Sequence, residues 1–245
     1  MVRSLFELAR EAQRAIIFID EVDSLCGSRS EGEADSSRRI KTEFLVQMDG
    51  VGHNSGDVLV LGATNIPWEL DSAIRRRFEK RIYIPLPNKE ARTLMIKLYL
   101  GDDDKTHSLS DKDFERLGEI TEGASGSDLK VLVKEALMQP LRTCQKAQQF
   151  IPVDKGQYLM PCEKYPHCPR CPPKLSTDRK DKDYTCRYCG AIRIQLWDIP
   201  SEKLKAPPIS IRDFEKALTH SVSSVSPEEL LKYEEWTRQF GQEGS

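Results

Sequence analysis

Residues 16–21 read Ile16-Ile17-Phe18-Ile19-Asp20-Glu21, a run of β-branched and aromatic residues that ends in two adjacent carboxylates. Such a run has the make-up of a strand buried on both faces of a parallel sheet. Ligands of open α/β sheets bind just beyond the carboxyl ends of the strands. Two acids at that place suit a magnesium-nucleotide site, one holding the metal through water and the other orienting the attacking water. A buried strand that stops at a solvated acidic turn would carry the same six residues, so the hexamer alone leaves both readings open.

A second group of residues has metal-ligand spacing. Cys168-Pro169-Arg170-Cys171 and Cys186-Arg187-Tyr188-Cys189-Gly190 are two C-x-x-C knuckles separated by 14 residues, just under the usual zinc spacing of about 15–20. Four thiolates close a tetrahedral structural zinc site with no open position for chemistry. Gly190 allows the tight turn after the second knuckle. Cys162 and His167 lie close enough in sequence to replace one of the four, and free thiols or two disulfides are the other states open to them. Cys26 and Cys144 have no neighbouring His/Asp arrangement and read as incidental or buried thiols.

Composition and periodicity indicate what must position these groups. Of 245 residues, 31% are charged and 38% hydrophobic, the balance of a globular chain with room for one or two domains. A formal net charge of -2 gives no electrostatic ground for bulk nucleic-acid binding. No apolar run approaches the ~20 residues of a membrane span. The amphipathic, acid-containing start, residues 1–8, reads as neither signal nor transit peptide. Seven cysteines without a secretory signal favour reduced thiols or metal ligands over disulfides.

Along the chain, Ser4–Gln13 has helical spacing, Ala15–Ile19 is a strand, and Cys26–Ser37 is a polar loop. Ser37–Met48 returns to helical spacing and stops at Gly50. Val58–Ala63 and Arg81–Ile84 are further strand candidates. This order predicts a parallel α/β layer over residues 1–87. Helices over 88–100, 110–121 and 125–147, each with a capping residue at its start, predict a small helical domain over 88–150. Residues 151–208 form a β insert rich in proline and cysteine, with strand-like pieces such as Ile192–Trp197. The helical pattern resumes in 209–245, where a last amphipathic helix starts near Ser226-Pro227-Glu228-Glu229 and ends at Gly241.

Four further features fit the carboxylate pair, and each has a plainer reading. Asn65 follows the second strand, so its amide would lie beside the acids and could bond a γ-phosphate or the attacking water; alone it is a turn residue before Ile66-Pro67. Arg75-Arg76-Arg77-Phe78 would be a solvated face, yet arginine also stabilises charge on a transferring phosphoryl group. Gly123-Ala124-Ser125-Gly126-Ser127-Asp128 is a helix start whose glycines also admit a flat ligand such as a base. The polar loop Ser28–Arg39 is either solvated or the lining of a substrate channel.

Taken together, Ile16–Glu21, Leu61-Gly62-Ala63-Thr64-Asn65-Ile66-Pro67-Trp68-Glu69-Leu70-Asp71 and Ala73–Phe78 resemble the AAA ATPases of the meiotic clade, most closely the vacuolar protein sorting 4 family, which disassembles ESCRT-III filaments. Met138–Arg142, Ile211–Ala217 and the ending Phe240–Ser245 resemble that family too, and only about residues 155–192 fall outside the likeness. The resemblance implies an AAA large domain, a helical lid and a β insert that binds an activating cofactor. It assigns Asp20 as the Walker B magnesium ligand, Glu21 as the catalytic acid that polarises water, and Asn65 as sensor 1. It assigns Arg76 and Arg77 as arginine fingers reaching a neighbour's ATP, Gly126 and Ser127 as the lid turn near the adenine, and Ser28–Arg39 as the second pore loop. Fingers in trans imply a homo-oligomeric ring, a hexamer in the family. Implied as well are ATP and Mg2+ as cofactors, ESCRT-III subunits as partners, and a cytoplasmic location with peripheral recruitment to endosomal membranes; the low net charge and the lack of a basic-aromatic stripe argue against nucleic acid as a partner. The resemblance does not imply a metal in the insert.

The departure from the family is that no Gly-x-x-x-x-Gly-Lys-Ser/Thr occurs in the chain; that motif supplies much of the grip on the β- and γ-phosphates. The first pore loop and the filament-binding N-terminal module are also expected upstream. The chain therefore reads as the C-terminal part of a larger protein, expected to be inactive on ATP alone and to expose apolar surface on its partial sheet. A non-hydrolysing adaptor or regulator, acting through the β insert and last helix, is the alternative.

Overall fold

The computed structural model describes residues 2–12, 14–26, 35–50, 57–101, 106–162, 167–171, 185–221 and 223–241; for residues 26, 35–37 and 57 the backbone alone is described. The elements in chain order are α1 (Val2–Glu11), β1 (Arg14–Ile19), α2 (Val22–Cys26), α3 (Asp35–Asp49), β2 (Asp57–Gly62), α4 (Ser72–Arg77), α5 (Lys89–Leu100), α6 (Asp111–Ile120), α7 (Gly126–Lys146), β3 (Phe150–Val153), β4 (Tyr158–Pro161), α8 (Ile211–Leu218) and α9 (Pro227–Phe240). Part of the loop read as the second pore loop, residues 28–34, lies outside the described residues, as do the last four residues of the family-like ending. Among the described residues no helix is long and apolar enough to cross a membrane.

Contacts divide the chain into two units, Met1–Ile84 with Pro227–Ser245, and Pro85–Ser226. The last helix thus groups with the α/β layer, whereas its sequence position sets it beside the returning lid helix in 209–245.

In the first unit β1 and β2 pair in parallel, with Ile17 opposite Val60, Ile16 opposite Leu59 and Phe18 opposite Leu61. Parallel partners share a face. Ile17 and Val60 therefore turn together into a core of Phe6, Ala9, Val22, Phe44, Met48 and Ile74, where Phe6 meets Phe44 edge to face at 5.9 Å. Burying an aromatic or branched side chain of this kind contributes about 1.5–3 kcal/mol. The other face is bare: Ile16 is 67% and Phe18 64% exposed, and Leu59 and Leu61 are exposed beside them. The expectation of a strand covered on both faces is corrected to one covered face, since an all-apolar run has no alternation to distinguish the two. The third strand expected over Arg81–Ile84 does not form, and the sheet has two strands among the described residues. Arg81 instead folds its Nε back onto the Phe78 carbonyl at 3.1 Å, and Ile82 and Ile84 stay exposed.

The second unit is built on α5, α6, α7 and α8. Their apolar faces meet in a core that includes Ile96, Leu117, Leu129, Val133 and Phe214. Side chains cap the starts: Asn88 accepts from the Ala91 N–H at 2.8 Å, and capping boxes pair Ser110 with Asp113 and Ser125 with Asp128. At Gly118 a Cβ would fall 2.1 Å from the Thr93 hydroxyl, so glycine is what lets α6 approach α5. The buried Arg92 guanidinium is satisfied by the Gly118 and Pro87 carbonyls.

After α7 the chain forms an antiparallel hairpin, β3 with β4. The connection passes through three successive left-handed residues, Asp154 (φ 51°), Lys155 (φ 60°) and Gly156 (φ 87°). Phe150 and Ile192 exchange backbone hydrogen bonds of 2.9 and 2.8 Å. The strand-like piece Ile192–Trp197 is otherwise not a strand: Leu196–Asp198 is a 3-10 turn and the Trp197 ring is exposed.

Candidate functional site

The parallel ladder continues past the ends of β1 and β2. Ala63 N–H donates to the Ile19 carbonyl and Val22 N–H to the Ala63 carbonyl, each at 2.9 Å. Asp20 and Glu21 therefore leave the sheet beside the segment Ala63–Asn65, and both acids are exposed. One Asp20 oxygen accepts the Glu21 N–H at 2.9 Å. Glu21 has a φ of 48°, a left-handed conformation that costs a non-glycine residue about 1–3 kcal/mol and concentrates at functional sites. The turn closes when Ser24 N–H reaches the Glu21 carbonyl at 2.9 Å, which starts α2.

The neighbouring turn is tied from two sides. Thr64 donates its hydroxyl to Asp23 and accepts the Ile66 N–H, the latter at 3.0 Å. Asn65 is exposed, and its backbone carbonyl accepts the Tyr233 hydroxyl from α9. The Tyr233 ring packs against Trp68, 5.1 Å away and tilted, and against Tyr83, 6.0 Å away and stacked. Burial pushes the Tyr233 phenol above its ordinary value, so the hydroxyl remains a donor. Tyr233 carries no sequence signal for this role, because it stands 168 residues from its partner.

The three arginines of α4 have three different surroundings. The Arg75 guanidinium lies over the Phe240 ring at 4.7 Å. Arg77 grips both carboxylate oxygens of Asp49 at 2.9 Å and the Ala73 carbonyl at 3.0 Å. The bidentate bond to Arg77 holds the Asp49 carboxyl below its ordinary value. Arg76 is exposed and has no ion-pair partner among the described residues. Of the two residues matched to arginine fingers, one is tied within its own chain and one points outward.

In the second unit Gly126 and Ser127 form the first turn of α7 behind the Ser125 cap. A Cβ at Gly126 would meet only the ends of Met95 and Tyr99, at 3.7–3.9 Å, so packing does not demand the glycine. A cleft of about 290 Å³ lies alongside, lined by Thr121, Ala124, Asp128, Leu129, Leu132 and Leu218 among others, but by neither Gly126 nor Ser127.

The insert brings the two knuckles together. The sulfurs of Cys168, Cys171, Cys186 and Cys189 all lie within 4.8 Å of one another, and Cys171 and Cys186 are buried. Backbone amides of Cys189 and Tyr188 donate to the Cys186 sulfur and lower that thiol to about 6, while burial pushes Cys189 up to about 12. Cys162 borders the cluster without joining the group of four, and burial pushes its thiol up to about 11. His167 is exposed and outside the group. Cys144 is an enclosed thiol of α7, with its acidity suppressed by burial.

Residues 1–86 match the family described as ATPase family associated with various cellular activities (AAA), residues 111–154 the AAA+ lid domain, and residues 188–241 the Vps4 C terminal oligomerisation domain. The mouse vacuolar protein sorting-associated protein 4B is 50% identical over 244 residues, which are 100% of this chain and 52% of that protein. The Arabidopsis thaliana protein SUPPRESSOR OF K(+) TRANSPORT GROWTH DEFECT 1 is 49% identical over 249 residues, again 100% and 52%. Among solved structures, the FIGL-1 AAA domain in complex with ADP superposes with a TM-score of 0.66 at 34% identity, covering 98% of this chain and 62% of that one. The chain spans about half the length of the relatives it matches.

Proposed function

The chain belongs to the AAA ATPases of the Vps4 group, and on that footing we propose that the acids ending β1 take part in ATP hydrolysis within a homo-oligomeric ring. The observation that carries this reading is the pair of exposed acids held beside Ala63–Asn65 by ladder bonds that extend beyond both strands. The donor set suits a hydrated magnesium ion: Asp20 has one oxygen engaged by a backbone N–H and the other open to solvent. When bound, Mg2+ held by Asp20 through water would neutralise charge on the phosphates.

In this reading Glu21 orients the attacking water and accepts its proton, and its left-handed backbone sets the direction of the side chain. The Asn65 amide positions the γ-phosphate or that same water, with its backbone anchored by Tyr233. Arg76 reaches the ATP of the adjacent protomer and stabilises transferring charge, worth ~10³–10⁵ in rate. Arg77 backs it from the Asp49 pair. Gly126 and Ser127 would line the adenine side from the lid. The proposed division of the chain is 1–87 large domain, 88–150 lid, 151–208 insert and 209–245 returning helices.

The wider role proposed is disassembly of ESCRT-III filaments in vacuolar protein sorting, with recruitment to endosomal membranes and an activating cofactor at the β insert. By itself the 245-residue chain, with no phosphate-loop motif in its sequence, is proposed to be inactive on ATP. The second reading is a non-hydrolysing adaptor that joins the ring of a relative through the β insert. A chimera decides between them: this chain replaces the matching half of the mouse 4B relative. Steady ATP turnover by the chimera, with none by the chain alone, is expected. A chimera that assembles and binds nucleotide yet shows no turnover would leave the adaptor reading.

A further inference from the structure

We propose that Cys168, Cys171, Cys186 and Cys189 bind a single Zn2+ in a closed, structural site that fastens the β insert together. This proposal stands independently of the ATPase reading. Its first support is metric. Four ligand sulfurs about 2.3 Å from one central ion lie about 3.8 Å from each other at the corners of a tetrahedron. The observed sulfur separations are 3.5 Å for Cys168–Cys171, 3.8 Å for Cys168–Cys186, 3.7 Å for Cys171–Cys186 and 3.6 Å for Cys171–Cys189. A disulfide would bring one pair to about 2.05 Å; none of these four separations is near that, and all four cysteines are free thiols. The spacing also leaves room for one ion and not for a multi-iron cluster.

The backbone around the sulfurs is shaped to hold them. In the first knuckle Cys171 N–H donates to the Cys168 carbonyl at 3.0 Å, and Cys168 N–H points at the Cys171 sulfur at 3.4 Å. In the second, Gly190 N–H reaches the Cys186 carbonyl at 2.8 Å, and Cys186 N–H reaches the Ala191 carbonyl at 2.8 Å. Gly190 makes that return at a φ of 72°. Across the outside of the two knuckles the Arg170 guanidinium covers the Tyr188 ring at 4.7 Å, a positive charge near a site that would carry net charge of about -2 as Zn(Cys)4.

The ion has a mechanical task here. The apolar cluster at this point consists of Cys171, Cys186 and Ala191, with Ile151 and the remaining cysteines at its edge. That is too little buried surface to order the segment unaided. The second knuckle is also the piece that meets the hairpin. Gly190 packs so tightly on Pro152 that a Cβ would fall 2.8 Å from its ring, and Ile192 pairs with Phe150. Closing the site therefore fixes the hairpin and the knuckles as one body. Binding exchanges the thiol protons for metal–sulfur bonds, and the binding energy becomes folding energy for the insert. Three of the four ligands fall between the lid match, which ends at 154, and the C-terminal match, which begins at 188, and the fourth, Cys189, lies at the start of the latter.

The test is metal analysis of the full 245-residue chain, refolded under reducing conditions with Zn2+ and examined by native mass spectrometry. One zinc per chain is expected. Replacement with Co2+ is expected to give the intense charge-transfer and visible bands of tetrahedral cobalt–thiolate. Cys186→Ser and Cys168→Ser should lose the bound metal, while Cys162→Ser and His167→Ala keep it. If the cysteine variants fail to fold, thiol alkylation of the unaltered chain still decides: zinc should protect four cysteines and a chelator should expose them. A chain with four reactive thiols and no zinc, a copurified iron in its place, or zinc retained by Cys186→Ser but lost in Cys162→Ser would each overturn the proposal.

Discussion

At the ends of β1 and β2 the groups suited to chemistry, Asp20, Glu21 and Asn65, face solvent and are held through their backbones. In the insert the four sulfurs of Cys168, Cys171, Cys186 and Cys189 turn toward one another, and two of them are buried. The two regions assemble a site in opposite ways. Under the proposed function the first is a hydrolytic centre, which must stay open to a substrate and to groups from a neighbouring protomer, so its own chain fixes only the direction of its groups. A structural metal centre has no other participant, and all its ligands come from one short stretch.

The comparison is sharpened most by removing metal. Chelation is expected to strip protection from backbone hydrogen exchange across β3, β4 and residues 185–199, while the lid core around Leu117 and Leu129 stays protected. Structural zinc supplies on the order of 10 kcal/mol to small metal domains. Equal loss of protection in both would mean that the insert is not a separately fastened body.

Next comes Arg76→Ala, expected to lower turnover of the assembled chimera about 10³-fold with nucleotide affinity little changed. Arg77→Ala should disturb α4 and lower turnover less. A larger loss from Arg77→Ala would reverse their assignment as outward group and anchor. Tyr233→Phe deletes the hydroxyl bond to the Asn65 carbonyl and leaves the stacked ring. About 1 kcal/mol, seen as a modest drop in thermal stability with a several-fold fall in kcat and an unchanged KM, is expected. A KM effect alone would remove Tyr233 from the account of the open site.

The smallest effect is a pH dependence. The bond to Arg77 depresses the Asp49 carboxyl in the folded state. Its contribution is therefore complete above the unfolded value near 4 and is lost as pH falls through the lower folded value. Asp49→Asn should flatten that part of an acid unfolding curve. An unchanged curve would show that Arg77 is not anchored in solution.

How much of this was legible depended on sequence distance. Asn88, Ser110 and Ser125 announced three helices because each cap acts on an amide three residues away. The acids ending β1 and the two knuckles were equally local signals. The hairpin was hidden because Pro152 interrupts its first strand and its turn uses left-handed Asp154 and Lys155, not an Asn-Gly pair. Arg81–Ile84 has the residues of a strand, but pairing depends on a partner edge that local composition does not encode. Asp49 and Tyr233 lie 28 and 168 residues from the groups they hold, so only the fold discloses them.

The central claim, that Glu21 activates water at the strand end, is tested most directly by Glu21→Gln in the chimera that carries the mouse relative's other half. Bound ATP should persist unhydrolysed on assembled rings, with turnover reduced by about 10²-fold or more. Turnover equal to that of the unaltered chimera would contradict the claim.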